Sequence, residues 1–314
     1  LMVTESNEIG YFEFDNVPAG NFLVREIASP EAFVLTEEIF PVEITEDGQT
    51  IEITIENQII KGTAETIKVD ADYPDHKLSG AVFEVYADVD NNGEFNADID
   101  KLAGEMTETE PGLYQMKDLV YRNYFLHEKE APEFFEKDDG YYPFSITENE
   151  AIVRIETEAG EGFLNKAQTG SLKVVKTADD DKIEGRTFKI SGTDFMGNAY
   201  EQEFKTDENG EINLTLRVGE YTVSEVAGED SEKYILPDDQ TVEIKAGETT
   251  TVKMHNKLVP EVPSVPQTGD NPWMPAILGT LAGLAVLSGG ALLFLRYTGK
   301  KRKSVDQVDE DQGT

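Results

Sequence analysis

The sequence predicts an all-β chain of tandem Greek-key β-sandwiches followed by a single C-terminal transmembrane helix. Three observations carry this. A pattern of an aromatic, three further residues and a Glu recurs three times, each time followed by an apolar stretch that ends in Asn. Between these landmarks apolar and polar residues alternate, and no segment before residue 271 keeps a helical period. Beyond residue 270 the composition changes to one long uncharged apolar stretch.

The repeated pattern reads Phe22-Leu23-Val24-Arg25-Glu26, Tyr124-Phe125-Leu126-His127-Glu128 and Tyr221-Thr222-Val223-Ser224-Glu225. The closing residues are Asn57, Asn165 and Asn256, which lie 31, 37 and 31 residues after the Glu. Gly62 and Gly170 each follow an Asn by five positions, and Lys68 and Lys176 each follow that Gly by six. A repeat of this kind marks a chain of similar units. The units span residues 1–57, where the unit is truncated, 62–166 and 170–257, and the short linkers imply domains that touch. Within them alternation is clear at Ile51-Glu52-Ile53-Thr54-Ile55 and at Leu172-Lys173-Val174. Turn pairs fall between such runs at Asp47-Gly48, Asn92-Gly93 and Asn209-Gly210. Short strands in units of this size predict sandwiches.

Strand parity then points at three polar residues in each unit. Glu225 shares a face with Tyr221 and Val223, Asn256 with Val252 and Met254, and Lys176 with Leu172 and Val174. In the first unit Glu26 goes with Phe22 and Val24, and Asn57 with Ile51, Ile53 and Ile55. In the second, Lys68 shares parity with Ala64 and Thr66, while the bulkier Ile67 and Val69 face the other way, so a bulge would be needed to group it with them. A Lys, a Glu and an Asn are thus expected to point into a core. Burial disfavours the charged form of each ionisable group, which lowers a Lys pKa and raises a Glu pKa. A neutral amine is a nucleophile. It can attack the Asn side-chain carbonyl and release ammonia while the Glu relays protons, leaving a Lys–Asn isopeptide bond. A satisfied polar trio, or a Lys that snorkels outward, is the plainer alternative.

On these residues the body resembles the Cna-B/SpaA-type, prealbumin-like domains of Gram-positive adhesins and pilins. The resemblance implies that Lys68, Glu128 and Asn165 form a bond in the second unit and Lys176, Glu225 and Asn256 in the third. Glu26 and Asn57 belong to the first, whose Lys would lie before Leu1. The chain opens with neither Met nor a signal peptide and in mid-repeat, and is read as a fragment.

The ending is equally distinct. Residues 271–295 carry no charge, and 275–295 would span roughly 31 Å as a helix at ~1.5 Å per residue. Arg296 and the basic cluster 300–303 follow, which places that side in the cytoplasm and residues 1–270 outside. Trp273, the only Trp, suits the outer interface. Just before lies Val265-Pro266-Gln267-Thr268-Gly269, within a Pro-rich linker at 258–270 that favours an extended chain. Motif, apolar span and basic tail in residues 271–314 together resemble the LPxTG cell-wall sorting signal. That resemblance implies sortase cleavage between Thr268 and Gly269, transfer of the Thr268 carbonyl to a peptidoglycan amine, and membrane insertion only until then. Val265 stands where the family usually has Leu, which leaves the sortase class open, and the acidic extension 305–314 departs from the usual ending.

Charge and composition exclude other classes. The 314 residues hold 63 Asp+Glu against 27 Lys+Arg, a net −36, and no Cys. Residues 271–314 have five basic and four acidic groups, so the first 270 residues carry −37. Disulfides, thiolate zinc sites and cysteine nucleophiles are excluded, and nucleic acid is not an expected partner. His76, His127 and His255 show no ligand spacing, and the parity of His127 and His255 predicts solvation. No Ser-His-Asp order or phosphate loop stands out, so no enzyme is expected. Asp88, Asp90 and Asn92, with Gly93 next and Asp98 and Asp100 beyond, look like the start of an EF-hand calcium loop. Position twelve is Ile99 rather than Glu, and Val82–Ala87 reads as a strand, so a solvated acidic loop is the favoured reading and no cofactor is required.

The expected role is therefore the stalk and wall-attachment region of an exported, cell-wall-anchored adhesin or pilin component. The alternatives are a module that binds a host matrix protein or glycan, and the anchor of a surface enzyme with its catalytic domain upstream. No Lys in a polymerisation motif is evident, which favours a monomeric wall-linked protein or a basal pilin.

Overall fold

The computed structural model describes residues 1–261. It is all-β, with a single 3₁₀ turn at Ser231–Lys233 as the only helical element among the described residues. None of them forms a helix long and apolar enough to cross a membrane. The expected span at 275–295, the sorting motif at 265–269 and the basic tail lie outside the described residues.

The first unit contains β1 (Gly20–Arg25), β2 (Phe33–Val34), β3 (Ile39–Ile44) and β4 (Gln58–Ile59). β1 and β3 pair antiparallel, and β2 pairs with β4. The expected strand at 51–55 does not form. Ile53, Ile55 and Asn57 still alternate inward, but no neighbouring strand in residues 1–57 offers them a ladder.

The second unit is complete. It runs through β5 (Lys61–Asp70), β6 (Val82–Ala87), β7 (Lys101–Glu105), β8 (Thr107–Glu110), β9 (Leu113–Val120), β10 (Arg122–Glu130), β11 (Tyr141–Ile146), β12 (Ile152–Arg154) and β13 (Phe163–Asn165). One sheet has the order β12-β5-β9-β8, with β13 also on β5, and the other the order β11-β10-β6-β7. Phe83, Val85, Leu126, Ile146 and Phe163 fill the space between them, each fully buried. Burying such a side chain contributes about 1.5–3 kcal/mol.

The third unit holds β14 (Thr169–Ala178), β15 (Thr187–Asp194), β16 (Ala199–Lys205), β17 (Glu211–Arg217), β18 (Gly219–Glu225), β19 (Tyr234–Ile235), β20 (Gln240–Ile244) and β21 (Thr249–Leu258). Its sheets run β17-β14-β21-β19 and β16-β15-β18-β20 around Leu172, Val174, Phe188, Ile190, Val223 and Met254. Alternation decides which side chains enter. On β14 the buried residues are Gly170, Leu172, Val174, Lys176 and Ala178.

Two repeated features have a packing cause. A Cβ at Gly62 would meet the Ala151 carbonyl oxygen at 2.9 Å, and one at Gly170 would meet that of Lys245 at 2.2 Å. The strand start therefore lies too close to the segment entering the neighbouring strand, β12 or β21, for any side chain. The Tyr of the recurring pattern is tethered: Tyr124 Oη donates to Val120 O at 2.9 Å and Tyr221 Oη to Arg217 O at 3.0 Å. Phe22 cannot make this bond.

Candidate functional site

In both complete units the last strand lies parallel to the first. β21 runs beside β14 with Lys176 opposite Met254 and Ala178 opposite Asn256. β13 runs beside β5 with Lys68 opposite Phe163 and Asp70 opposite Asn165. The Glu comes from the facing sheet, at the end of β18 or on β10. Lys68 needs no bulge to reach the core. The register shift against β9 lies earlier, between Gly62 and Ala64, and Ala64, Thr66 and Lys68 are all fully buried on one face.

The three types meet in each complete unit. Lys68 Nζ lies 3.0 Å from Glu128 Oε1 and donates to Asn165 Oδ1. Asn165 Nδ2 donates to both Glu128 oxygens at 2.9 Å. In the third unit Lys176 Nζ donates to Glu225 Oε2 at 2.9 Å, and Asn256 Nδ2 donates to Glu225 Oε1 at 2.8 Å. Asn256 Oδ1 is buried and accepts no hydrogen bond. In the first unit Asn57 Nδ2 donates to Glu26 Oε1 at 2.8 Å, and Asn57 Oδ1 is likewise buried without a donor. That pair has the geometry of the others without a lysine among residues 1–57.

Burial pushes the Lys68 ammonium down to about 8, against the pull of Glu128, which favours its charged form. Lys176 is lowered by the same cause, opposed by Glu225. Each Glu touches the Lys amine and the Asn amide nitrogen together. It is therefore placed to take a proton from one and give it to the other.

Sequence reasoning missed the aromatic walls. Phe83 stands opposite Glu128 on the neighbouring strand and Phe188 opposite Glu225. Lys68 Nζ lies 4.3 Å from the Phe163 ring centre and 5.8 Å from that of Phe83, and Lys176 Nζ 6.0 Å from that of Phe188. The shared steps Phe83-Glu84-Val85 and Phe188-Lys189-Ile190 were the available signal. Asp138 was also missed: its backbone N–H donates to Glu128 Oε2 at 2.8 Å.

Of the other candidates, Asp88 and Asp90 come together with Asp100, with one carboxylate oxygen of each within 4.8 Å of the others. Asn92 is engaged in its own turn, accepting from Glu94 N at 2.6 Å and donating to Asp90 Oδ2 at 3.0 Å. His127 points outward as its parity predicts but is not solvated. It is only 8% exposed, because the ring of Tyr141 stacks on it at 4.2 Å on the outer face of the sheet. His255 is exposed as expected, 3.1 Å from Asp179.

A family described as the SpaA prealbumin-like fold domain matches residues 2–59, 62–161 and 170–258. No curated protein matches the sequence. Among solved structures, the Bacillus anthracis TIE protein is similar at 25% identity and a TM-score of 0.60, over 81% of this chain and 45% of that one. The chain thus spans under half the length of that protein. GBS52, the minor pilin of Streptococcus agalactiae, is similar at 18% identity and a TM-score of 0.28 over 66% and 99%. The C-terminal fragment of the pilus adhesin SpaC from Lactobacillus rhamnosus GG is similar at 13% and 0.37 over 66% and 100%.

Proposed function

Since the chain belongs to the family of SpaA prealbumin-like fold domains, we propose that it is the stalk and wall-attachment region of a Gram-positive surface adhesin or pilin component. Its two complete domains are closed by Lys68–Asn165 and Lys176–Asn256 isopeptide bonds. The observation that supports this most is the same buried Lys–Glu–Asn contact set at the parallel first and last strands of two successive domains.

The step balances. The neutral amine attacks the Asn side-chain carbon, and the Glu carries a proton from the attacking nitrogen to the departing one. The bond from the Asn side-chain carbon to its amide nitrogen breaks, ammonia leaves and a secondary amide remains. A lysine lowered to about 8 is partly neutral near physiological pH, which is what attack requires.

The bond would act mechanically. Pulling loads a domain at the start of its first strand and the end of its last. A link from Lys176 to Asn256 removes residues 177–255 from that path. In the second domain residues 69–164 are shielded, which otherwise could extend by roughly 300 Å at ~3.3 Å per residue. A chain without Cys has no disulfide to do this. The role is non-enzymatic and extracellular. Anchoring runs through Val265-Pro266-Gln267-Thr268-Gly269, with sortase joining Thr268 to peptidoglycan and membrane residence ending at that step.

Intact-mass measurement of the chain tests the bonds. Two ammonia equivalents are missing in the wild type, one in Glu128→Gln or Glu225→Gln, and none in the double variant. A wild-type mass equal to the uncrosslinked sequence overturns the reading. Anchoring is tested separately by Thr268→Ala, which should move the protein from the wall fraction to the membrane fraction.

A further inference from the structure

We propose that the connection between β6 and β7 is a calcium site held by Asp88, Asp90 and Asp100. Asp88 follows β6 and Asp100 precedes β7, and the two strands pair there with Ala87 opposite Lys101. The neck of the loop therefore sets the two aspartates side by side. Both are buried, at 1% and 4% exposure, while Asp90 reaches the same point from the exposed side.

The polar bonds of the neck leave one oxygen over. Asp100 Oδ1 accepts from Val89 N at 3.0 Å and Oδ2 from Asn96 N at 2.7 Å. Asp88 Oδ2 accepts from Gly93 N at 3.0 Å, but Asp88 Oδ1 is buried and no protein donor reaches it. No lysine, arginine or histidine pairs with any of the three among the described residues. Like charges gathered in a buried place oppose one another, and buried charges are ordinarily paired or bound to a metal. A divalent cation would take the free oxygen and offset all three carboxylates.

All three ligands are hard oxygens on an irregular loop. That suits calcium, which accepts six to eight oxygens in flexible geometry, over magnesium, which demands a near-octahedral shell. The spacing agrees as far as it goes: Asp88, Asp90 and Gly93 hold the first, third and sixth places of an EF-hand loop, and Gly93 takes φ +76°. The twelfth place is Ile99, and Asp100, one residue on, supplies the carboxylate instead. The same loop carries Phe95, which stacks on Tyr141 at 3.6 Å and meets Phe125 at 5.9 Å. Calcium at the neck holds this cover over the outer face of the sheet.

Calorimetric titration of the full chain with calcium chloride, with magnesium chloride as comparison, tests the site. One saturable site is expected, with a Kd on the order of 0.1–1 mM, as in extracellular calcium modules. Asp88→Asn and Asp90→Asn should each weaken it tenfold or more, and Glu203→Gln, an exposed carboxylate elsewhere, should not. Asp90 is exposed, so its variant keeps the fold by circular dichroism even where Asp88→Asn does not. Calcium should also slow amide exchange across 88–100 in the wild type. Absence of saturable binding up to ~10 mM calcium overturns the proposal. So does unchanged affinity in Asp90→Asn, which would mean diffuse binding by the acidic body.

Discussion

Asn256 lies two residues beyond the position that faces Lys176 on the adjacent parallel strand, and Asn165 stands in the same relation to Lys68. A two-residue step keeps both side chains on one face of the sheet. In the second domain Lys68 Nζ reaches Asn165 Oδ1 across this offset, and in the third Glu225 bridges Lys176 and Asn256. The repetition of this offset, with a Glu from the facing sheet at each, makes the contact set a property of the domain and not of one accidental neighbour.

The proposed link in the second domain joins residues 97 apart. In the chain-entropy treatment a cross-link over ~100 residues stabilises by about 4.7 kcal/mol, less any strain. Asn165→Ala should therefore lower the stability of that domain by several kcal/mol in denaturant titration. Equal midpoints for variant and wild type would remove the mechanical argument.

Stability of that uncrosslinked variant should depend on pH in a definite direction. Folded Lys68 is lowered from 10.5 to about 8, so between these values the unfolded chain binds a proton that the folded one has released. Stability then rises with pH across that window, on the order of 3 kcal/mol in all. In the wild type the proposed bond would turn the Lys68 amine into an amide nitrogen that does not titrate, and the same window should be flat. Urea midpoints measured from pH 7.5 to 10.5 distinguish the two.

Gly170 should tolerate no side chain. The Cβ of Gly170→Ala would fall 2.2 Å from the Lys245 carbonyl oxygen, just after β20, and 2.9 Å from Cγ2 of Ile244, the last residue of β20. Overpacking of this kind costs about 1–3 kcal/mol. Gly62→Ala, with its nearest atom at 2.9 Å, should cost less. Thermal unfolding of the two variants orders them, and a harmless Gly170→Ala would refute the close approach.

Arg217 of the third domain binds Asp70 of the second at 2.5 Å and its own Asp194 at 3.1 Å. Tyr73, Phe195 and Phe135 surround the guanidinium at 5.1, 5.4 and 6.0 Å from their ring centres. Asp70 is fully buried, and removing one partner of a buried pair typically costs 3–5 kcal/mol. Arg217→Ala should therefore uncouple the two domains, splitting one calorimetric transition into two. A single unshifted transition would show that the joint carries no energy.

Much of the site was legible because parity is local. Tyr221, Val223 and Glu225, or Leu172, Val174 and Lys176, need only a two-residue period to declare a common face. The turn at Asn209-Gly210 is equally local. At Lys68 parity held as well, since Ala64, Thr66 and Lys68 share one buried face; only the bulge was unnecessary, because Val69 is buried too and its bulk does not mark that face as the core. At His127 parity was right about direction and wrong about environment, since Phe95 and Tyr141 arrive from elsewhere to close the outer face. The strand expected at 51–55 failed for the complementary reason: alternation supplies a face, but a strand also needs a neighbour.

The sequence by itself determined the repeat, the β period, the turn glycines and the inward polar trio, since each depends on residues a few positions apart. Only the tertiary structure decided that the first and last strands are parallel neighbours and that each Glu bridges a Lys and an Asn. It likewise decided that Asp100 joins Asp88 and that Arg217 reaches Asp70. Those relations join residues that sequence distance does not order. They follow from which strands must pair to bury the core, a choice made by the whole domain at once.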